Sequence, residues 1–205
     1  MENKLAEVKW WEKTVEYNFV LAAKDEFGLN LLAPFDGNVE SIGDAVVGAD
    51  SKFFIIEFKR TLSDFKSETD KYINGDHSLK EARIHLSQLE TSKYHYVIAG
   101  EYNNKAKKLR LNIRRYFNVD EEIILNSHEY FDGGMSIDEL NIYTELLTAF
   151  KNRDDSDDDS GSSGSGGMSH SSVLAVDTNK KGTVISLNYY AKLKLNKKRK
   201  YTFGG

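Results

Sequence analysis

The sequence contains no cysteine and only one proline, Pro34, in 205 residues. Without thiols there is no disulfide framework, no thiolate metal site and no cysteine nucleophile. No stretch approaches the roughly 20 apolar residues of a membrane span. The opening MENKLAEVKWWEK also lacks the apolar run of a secretory signal. A soluble, cytoplasmic protein with no membrane partner is therefore expected. The five histidines, His77, His85, His95, His128 and His170, include no pair at i, i+4 and no HExxH pattern. No phosphate-binding glycine loop is present either; Gly133-Gly134 lacks the strand and helix such a loop needs and reads as a turn. What the chain does have is apolar bulk. Its hydrophobic fraction is 40%, with 11 Phe, 11 Tyr and 2 Trp, which supplies a core and excludes wholesale disorder.

The net charge of −4 is an average over two unlike pieces. Residues 154–167, DDSDDDSGSSGSGG, are an acidic and Gly/Ser-rich linker with nothing to bury. Residues 168–205 carry seven Lys and one Arg against Asp177, a net of +7, which leaves −11 on residues 1–167. The linker is followed by Met168, as an independent reading frame would be. It is either an engineered fusion joint or a natural low-complexity segment. Three parts are expected: an α/β domain over 1–153, the flexible linker 154–167, and a basic, β-rich piece over 168–205.

In the first part, Val8, Trp11, Val15, Phe19 and Ala22 recur at helical spacing within residues 5–23. Residues 29–35 read as a short strand ending near Pro34, and DGN at 36–38 as a turn. The apolar runs 43–49 and 52–60, separated by Asp50-Ser51, form a hairpin. The stretch 61–91 is polar and helical in two parts, broken near Asn74-Gly75. Strands follow at 93–100 and 109–117. A Ser136-x-x-Glu139 capping box opens a helix over 136–151. This order predicts a mixed sheet sandwiched between helices.

The strand 52–60 carries the chemistry. Alternation puts Phe54, Ile56 and Phe58 on one face and Phe53, Ile55, Glu57 and Lys59 on the other. An acid and a base thus emerge together at the end of an apolar strand, where unpaired charges are costly. Hairpin pairing brings Asp44 beside Glu57, and a hard divalent cation relieves the repulsion of two such carboxylates. Lys59 is then placed to orient a water or stabilise developing phosphorane charge. The plainer reading is a solvent-facing Glu57–Lys59 ion pair, with Asp44 as a turn residue.

Gly43-Asp44, twelve residues, then Glu57-Phe58-Lys59 resembles the PD-(D/E)XK nuclease superfamily over roughly residues 8–102. The resemblance implies a restriction-endonuclease-like core and Mg²⁺ (or Mn²⁺) held by Asp44 and Glu57. It also implies a lysine, Lys59, that assists phosphodiester hydrolysis. Many members add a first-helix Glu; Glu16 matches that place, with Glu12 one turn earlier as the weaker candidate. Gln88 is a candidate for the Gln that some members carry on the second core helix. The family's lead-in Pro is replaced here by Ile42-Gly43.

A basic patch runs through Lys105, Lys107, Lys108, Arg110, Arg114 and Arg115, with Tyr102, Tyr116 and Phe117 nearby. Lys108, Arg110 and Arg114 are candidate phosphate contacts; a solvated sheet face is the alternative. His85 is a candidate acid/base residue or a plain surface histidine. The C-terminal piece reads as strands near 173–176 and after Gly182, then a basic tail. It would bind nucleic acid, act as a localisation-like cluster, or add a strand to a protein partner or to residues 1–153.

Two functions follow. One is a metal-dependent nuclease acting on DNA in preference to RNA, in restriction, repair or defence, for which a homodimer is one arrangement that cuts two strands. The other is a non-catalytic binding, inhibitor or immunity-type protein on a similar fold, which the acidic first piece favours.

Overall fold

The computed structural model describes residues 8–34, 43–49, 52–123 and 129–151, together with the backbone strands 172–176 and 182–186. The first residues of the expected opening helix, the DGN turn, the Asp50-Ser51 loop, the linker and the basic tail lie outside the described residues.

The most apolar segment becomes the centre of the sheet. Strands β1 (Leu31–Pro34), β2 (Ala45–Ala49), β3 (Lys52–Lys59), β4 (His95–Asn103) and β5 (Lys108–Arg115) are joined by β6 (Ser172–Val176) and β7 (Gly182–Ser186). Their order is β5-β4-β3-β2-β1-β6-β7. The β3–β4 pair is parallel and the others are antiparallel. A parallel pair needs a long crossover. Here it is a 3-10 segment, Leu62–Lys71, followed by α2 (Asp76–Leu86).

β3 is buried on both faces, which is why it reads as a continuous apolar run. Phe54, Ile56 and Phe58 pack with Val15 and Phe19 of α1 (Glu12–Ala23). Phe53 and Ile55 pack with Tyr72, Ala82 of α2, and Leu140, Tyr143 and Leu147 of α3 (Ile137–Thr148). The fold is a mixed sheet between one helix and two. The Ser136–Glu139 box caps α3 as expected, with Ser136 N donating to Glu139 Oε2 at 2.7 Å.

The first helix differs from the sequence expectation at its start. α1 begins at Glu12, and Val8 and Trp11 lie before it, exposed. Their neighbour Trp10 donates its indole N–H to Arg60 O at 2.8 Å, so the entering chain is tied to the end of β3. The first half of 61–91 is helical as expected, in the form of a ten-residue 3-10 helix. Three residues per turn align positions i and i+3. Phe65, Glu68 and Lys71 therefore stand in one row, and Glu68 is fully buried.

The C-terminal strands extend the sheet at its β1 edge. Leu31 pairs with Ala175 and Leu32 with Leu174.

Candidate active site

Three elements converge at the C-terminal end of β3. Ala45 pairs with Ile56, so Asp44 and Glu57 are the next residues along the two strands. Asp44 N donates to Ile56 O at 2.9 Å, and Asp44 Oδ2 accepts the amide proton of Phe58. That bond fixes the Asp44 carboxylate against the β3 edge. α1 is held close because Gly100 of β4 has no side chain. A Cβ there would lie 2.6 Å from Trp10 Nε1 and 3.0 Å from Arg60 O. The N-terminus of α1, with Glu12, is thereby set beside the β3 end.

Glu57 and Lys59 point into the face covered by the 3-10 segment, and they are 1% and 5% exposed. The pair is therefore buried rather than solvent-facing. Lys59 Nζ lies 2.6 Å from Glu57 Oε1 and 2.8 Å from Glu68 Oε1. Lys71 Nζ lies 2.8 Å from Glu57 Oε1 and 3.1 Å from Glu68 Oε1. Glu68 Oε2 accepts from Tyr116 Oη at 2.7 Å and faces Lys151 Nζ at 3.4 Å. Lys151 is itself capped by the rings of Tyr72 and Tyr116, at 5.0 and 5.1 Å. Glu57 Oε2 is buried with no donor among the described residues.

These contacts divide the charges unevenly. Burial, reinforced by the Glu68 and Asp44 carboxylates, pushes Glu57 up to about 8. Burial also raises Glu68, but Lys151, Glu57, Lys71 and Lys59 together outweigh it and hold Glu68 below the ordinary carboxylate range. Burial and mutual repulsion thus favour the protonated form at Glu57 and the ionised form at Glu68. Burial raises Asp44 too, partly offset by the Phe58 amide. Burial works against the Lys59 ammonium, yet Glu57 and Glu68 keep it above its usual value. Burial pulls Lys151 down to about 8 against the attraction of Glu68.

The structure brings Asp44, Glu57 and Lys59 together. It sets Glu12 at the rim, where desolvation raises its carboxyl, Lys59 opposes the rise, and Asp44 adds to it. Glu16, one turn on, pairs instead with Lys13 at 2.6 Å. Gln88 follows the end of α2 and is exposed. His85 is exposed and stacks on Phe150, with ring centroids 6.2 Å apart. His95 is the buried histidine. It stacks on Tyr116 at 3.9 Å, meets Tyr143 Oη at 3.0 Å, and burial holds it neutral.

Arg110 and Lys108 are exposed on the edge strand β5, while Arg114 is half-buried with Glu122 at 3.8 Å. Register places these residues relative to the acids. Glu57 pairs with Val97 and Val97 with Arg114, so Arg114 lies on the same sheet face as Glu57, two strands away, or roughly 10 Å. Arg110 and Lys108 continue that face along β5, beyond Asn112.

Glu68, Lys71 and Lys151 complete the cluster and were not singled out in the sequence. A signal for two of them exists, the three-residue spacing Phe65, Glu68, Lys71. None exists for Lys151, which is buried through a backbone bridge to Tyr72 across 79 positions of chain.

Asp44 and Glu57 carry oxygen donors, the ligand type that hard cations take. Among the described residues no group of three or more His, Cys, Asp or Glu side chains forms a ready cage. Mg²⁺ is commonly held by only one or two carboxylates with waters and substrate phosphates. Asp44 and Glu57 are two such carboxyl groups, and Glu57 Oε2 has no hydrogen-bond donor among the described residues. A surface depression of about 570 Å³, lined by Trp11, Glu12, Arg60, Asp64 and Lys66, adjoins the rim.

No family model, curated protein or solved structure matches the chain.

Proposed function

We propose that the chain is a divalent-metal-dependent nuclease of the PD-(D/E)XK type, hydrolysing phosphodiester bonds of DNA in preference to RNA. The observation that carries this reading is the meeting of Asp44, Glu57 and Lys59 at the joined ends of β2 and β3, with Glu57 Oε2 buried and without a donor. Asp44 and Glu57 would hold Mg²⁺ or Mn²⁺, with Glu12 at the rim. The bound cation would polarise the scissile phosphate and lower the pKa of its water. Lys59, held charged between two carboxylates, supplies a fixed positive group for the attacking water or the developing phosphorane charge. The Arg114, Arg110 and Lys108 row would seat phosphates leading away from the site.

The test is cleavage of plasmid DNA and of a structured RNA, with Mg²⁺, with Mn²⁺ and with chelator. Metal-dependent cutting by the parent and none by Asp44→Ala is expected. Lys59→Met should cut about a hundredfold more slowly, the loss typical of removing one preorganised charge-stabilising group. Metal-independent cutting, or equal cutting by Asp44→Ala, would sink the reading.

One observation favours a non-catalytic binding or inhibitor role instead. Lys59, Lys71 and Lys151 already neutralise Glu57 and Glu68 inside the protein, as a structural ion network does. Absence of cleavage under every metal condition, with the fold intact, is its expected outcome.

A further inference from the structure

Three ammonium groups crowd onto two buried carboxyls, and only one of them has a way out. Lys59 is 6% exposed at its side chain and boxed between Glu57 and Glu68. Lys151 is fully buried under the rings of Tyr72 and Tyr116. The Lys71 side chain is 29% exposed. It is the last residue of the 3-10 segment, and the next residue, Tyr72, is anchored by its backbone bridge to Lys151. The flexible four-carbon stem of Lys71 can therefore turn to solvent while the backbone stays in place.

The position of that ammonium is distinctive. It lies 2.8 Å from Glu57 Oε1 and 3.1 Å from Glu68 Oε1. Burial raises Asp44 and Glu12, and the Lys71 charge works against both rises. It shares Glu57 Oε1 with Lys59, so two like charges sit on one oxygen. A divalent cation entering beside Asp44 and Glu57 would meet a third positive charge there, in a poorly screened setting where such repulsion is strong.

We infer that Lys71 is a tethered counter-cation. Its ammonium neutralises Glu57 and Glu68 beside the place of the divalent ion, and it swings to solvent when the metal enters. This inference rests on the metal-site reading above. Lys71 thus sets how tightly the site takes metal. It keeps the acids compatible with one another in the metal-free protein and competes with the ion for them.

The test measures Mn²⁺ binding to the full chain, without nucleic acid, by electron paramagnetic resonance and by calorimetry. Lys71→Met keeps the stem and removes the charge, Lys71→Arg keeps the charge, and Asp44→Asn reports whether the ion is in this site. Lys71→Met is expected to bind Mn²⁺ about tenfold tighter or more, as removal of a close charge in a desolvated site implies. Lys71→Arg should bind like the parent, and Asp44→Asn should lose binding.

Lys71→Met should also melt at a lower temperature than the parent in chelator and gain more on adding Mn²⁺. This readout stands even if the variant is too unstable for titration. Equal or weaker Mn²⁺ binding by Lys71→Met, with the parent still binding, overturns the counter-cation role and leaves the metal site standing. Failure of every protein to bind Mn²⁺ at millimolar concentration overturns both.

Discussion

Glu57 is where the charge of the cluster is most sensitive to solution conditions. Its folded value near 8 lies above the ordinary 4.5, so between these values the folded chain holds a proton that the unfolded chain has lost. Stability contributed by this group therefore falls as pH rises from about 5 to 8. Glu68 has the opposite sign. Its value is depressed, so its contribution is present above the ordinary carboxylate range and lost as pH falls through and below it. The buried, neutral His95 opposes the Glu57 trend below about pH 6.5, where the unfolded chain binds a proton that the folded chain does not. Glutamine in place of Glu57 mimics the protonated acid. Between pH 5 and 8 the melting temperature of Glu57→Gln should fall less, relative to its own pH 5 value, than that of the parent. A parallel decline in both proteins would show that Glu57 is ionised in the folded state. The same burial changes what Lys59→Met reports. Lys59 is enclosed by two acids, so its removal should cost on the order of 3 kcal/mol of stability. Its cleavage rate must be compared at a temperature where both proteins are fully folded, which a melt of each defines.

Among the elements, α1 is placed by a specific contact as well as by its buried stripe of Val15, Phe19, Ala22 and Ala23. Trp10 reaches Arg60 O, and Gly100 leaves just enough room for the indole and for Val15. Gly100→Ala puts a methyl group inside that contact. Overpacking of this kind costs roughly 1–3 kcal/mol, and the relief available is a shift of Trp10 and the start of α1. A lower melting point together with altered Trp fluorescence is expected. A melt unchanged within error would show that α1 does not depend on this approach. The 3-10 segment is the second element that makes the site. An α-helical turn would offset Glu68 and Lys71 by roughly 60° about the axis, whereas three residues per turn keep them directly in a row facing Glu57.

Across the whole molecule, the described residues of both core clusters lie within 15–147, and α3 closes the second of the two faces. The strands β6 and β7 extend the sheet at β1. Deleting residues 154–205 is expected to preserve a cooperative thermal transition, because neither core loses a described member. The newly uncovered β1 edge should then favour self-association, as unpaired strand edges do. Calorimetry with sedimentation checks both statements. Loss of the cooperative transition would mean that the C-terminal hairpin supplies part of the core.

Much of this protein was legible as local pattern. Alternation assigned Phe54, Ile56 and Phe58 to one sheet face and Glu57 and Lys59 to the other, because strand geometry is set by the chain itself. The two-residue gap after Ala49 fixed the hairpin, and with it the nearness of Asp44 to Glu57. Ser136 and Glu139 announced the start of α3. The linker and the charge contrast between the two pieces are composition alone. What required the tertiary structure depends on contacts between residues far apart in the chain. Glu12 and Glu16 both lie in the first helix, and nothing in their spacing says which faces the acids; the tie from Trp10 to Arg60, fifty positions away, decides it. Glu68, Lys71 and Lys151 are ordinary charged residues in sequence. They become a buried network because the parallel β3–β4 crossover lays the 3-10 segment over Glu57, and because the bridge to Tyr72 draws Lys151 beneath it. Their protonation follows from that burial, since desolvation and neighbouring charge are properties of the folded surroundings and not of the residue type.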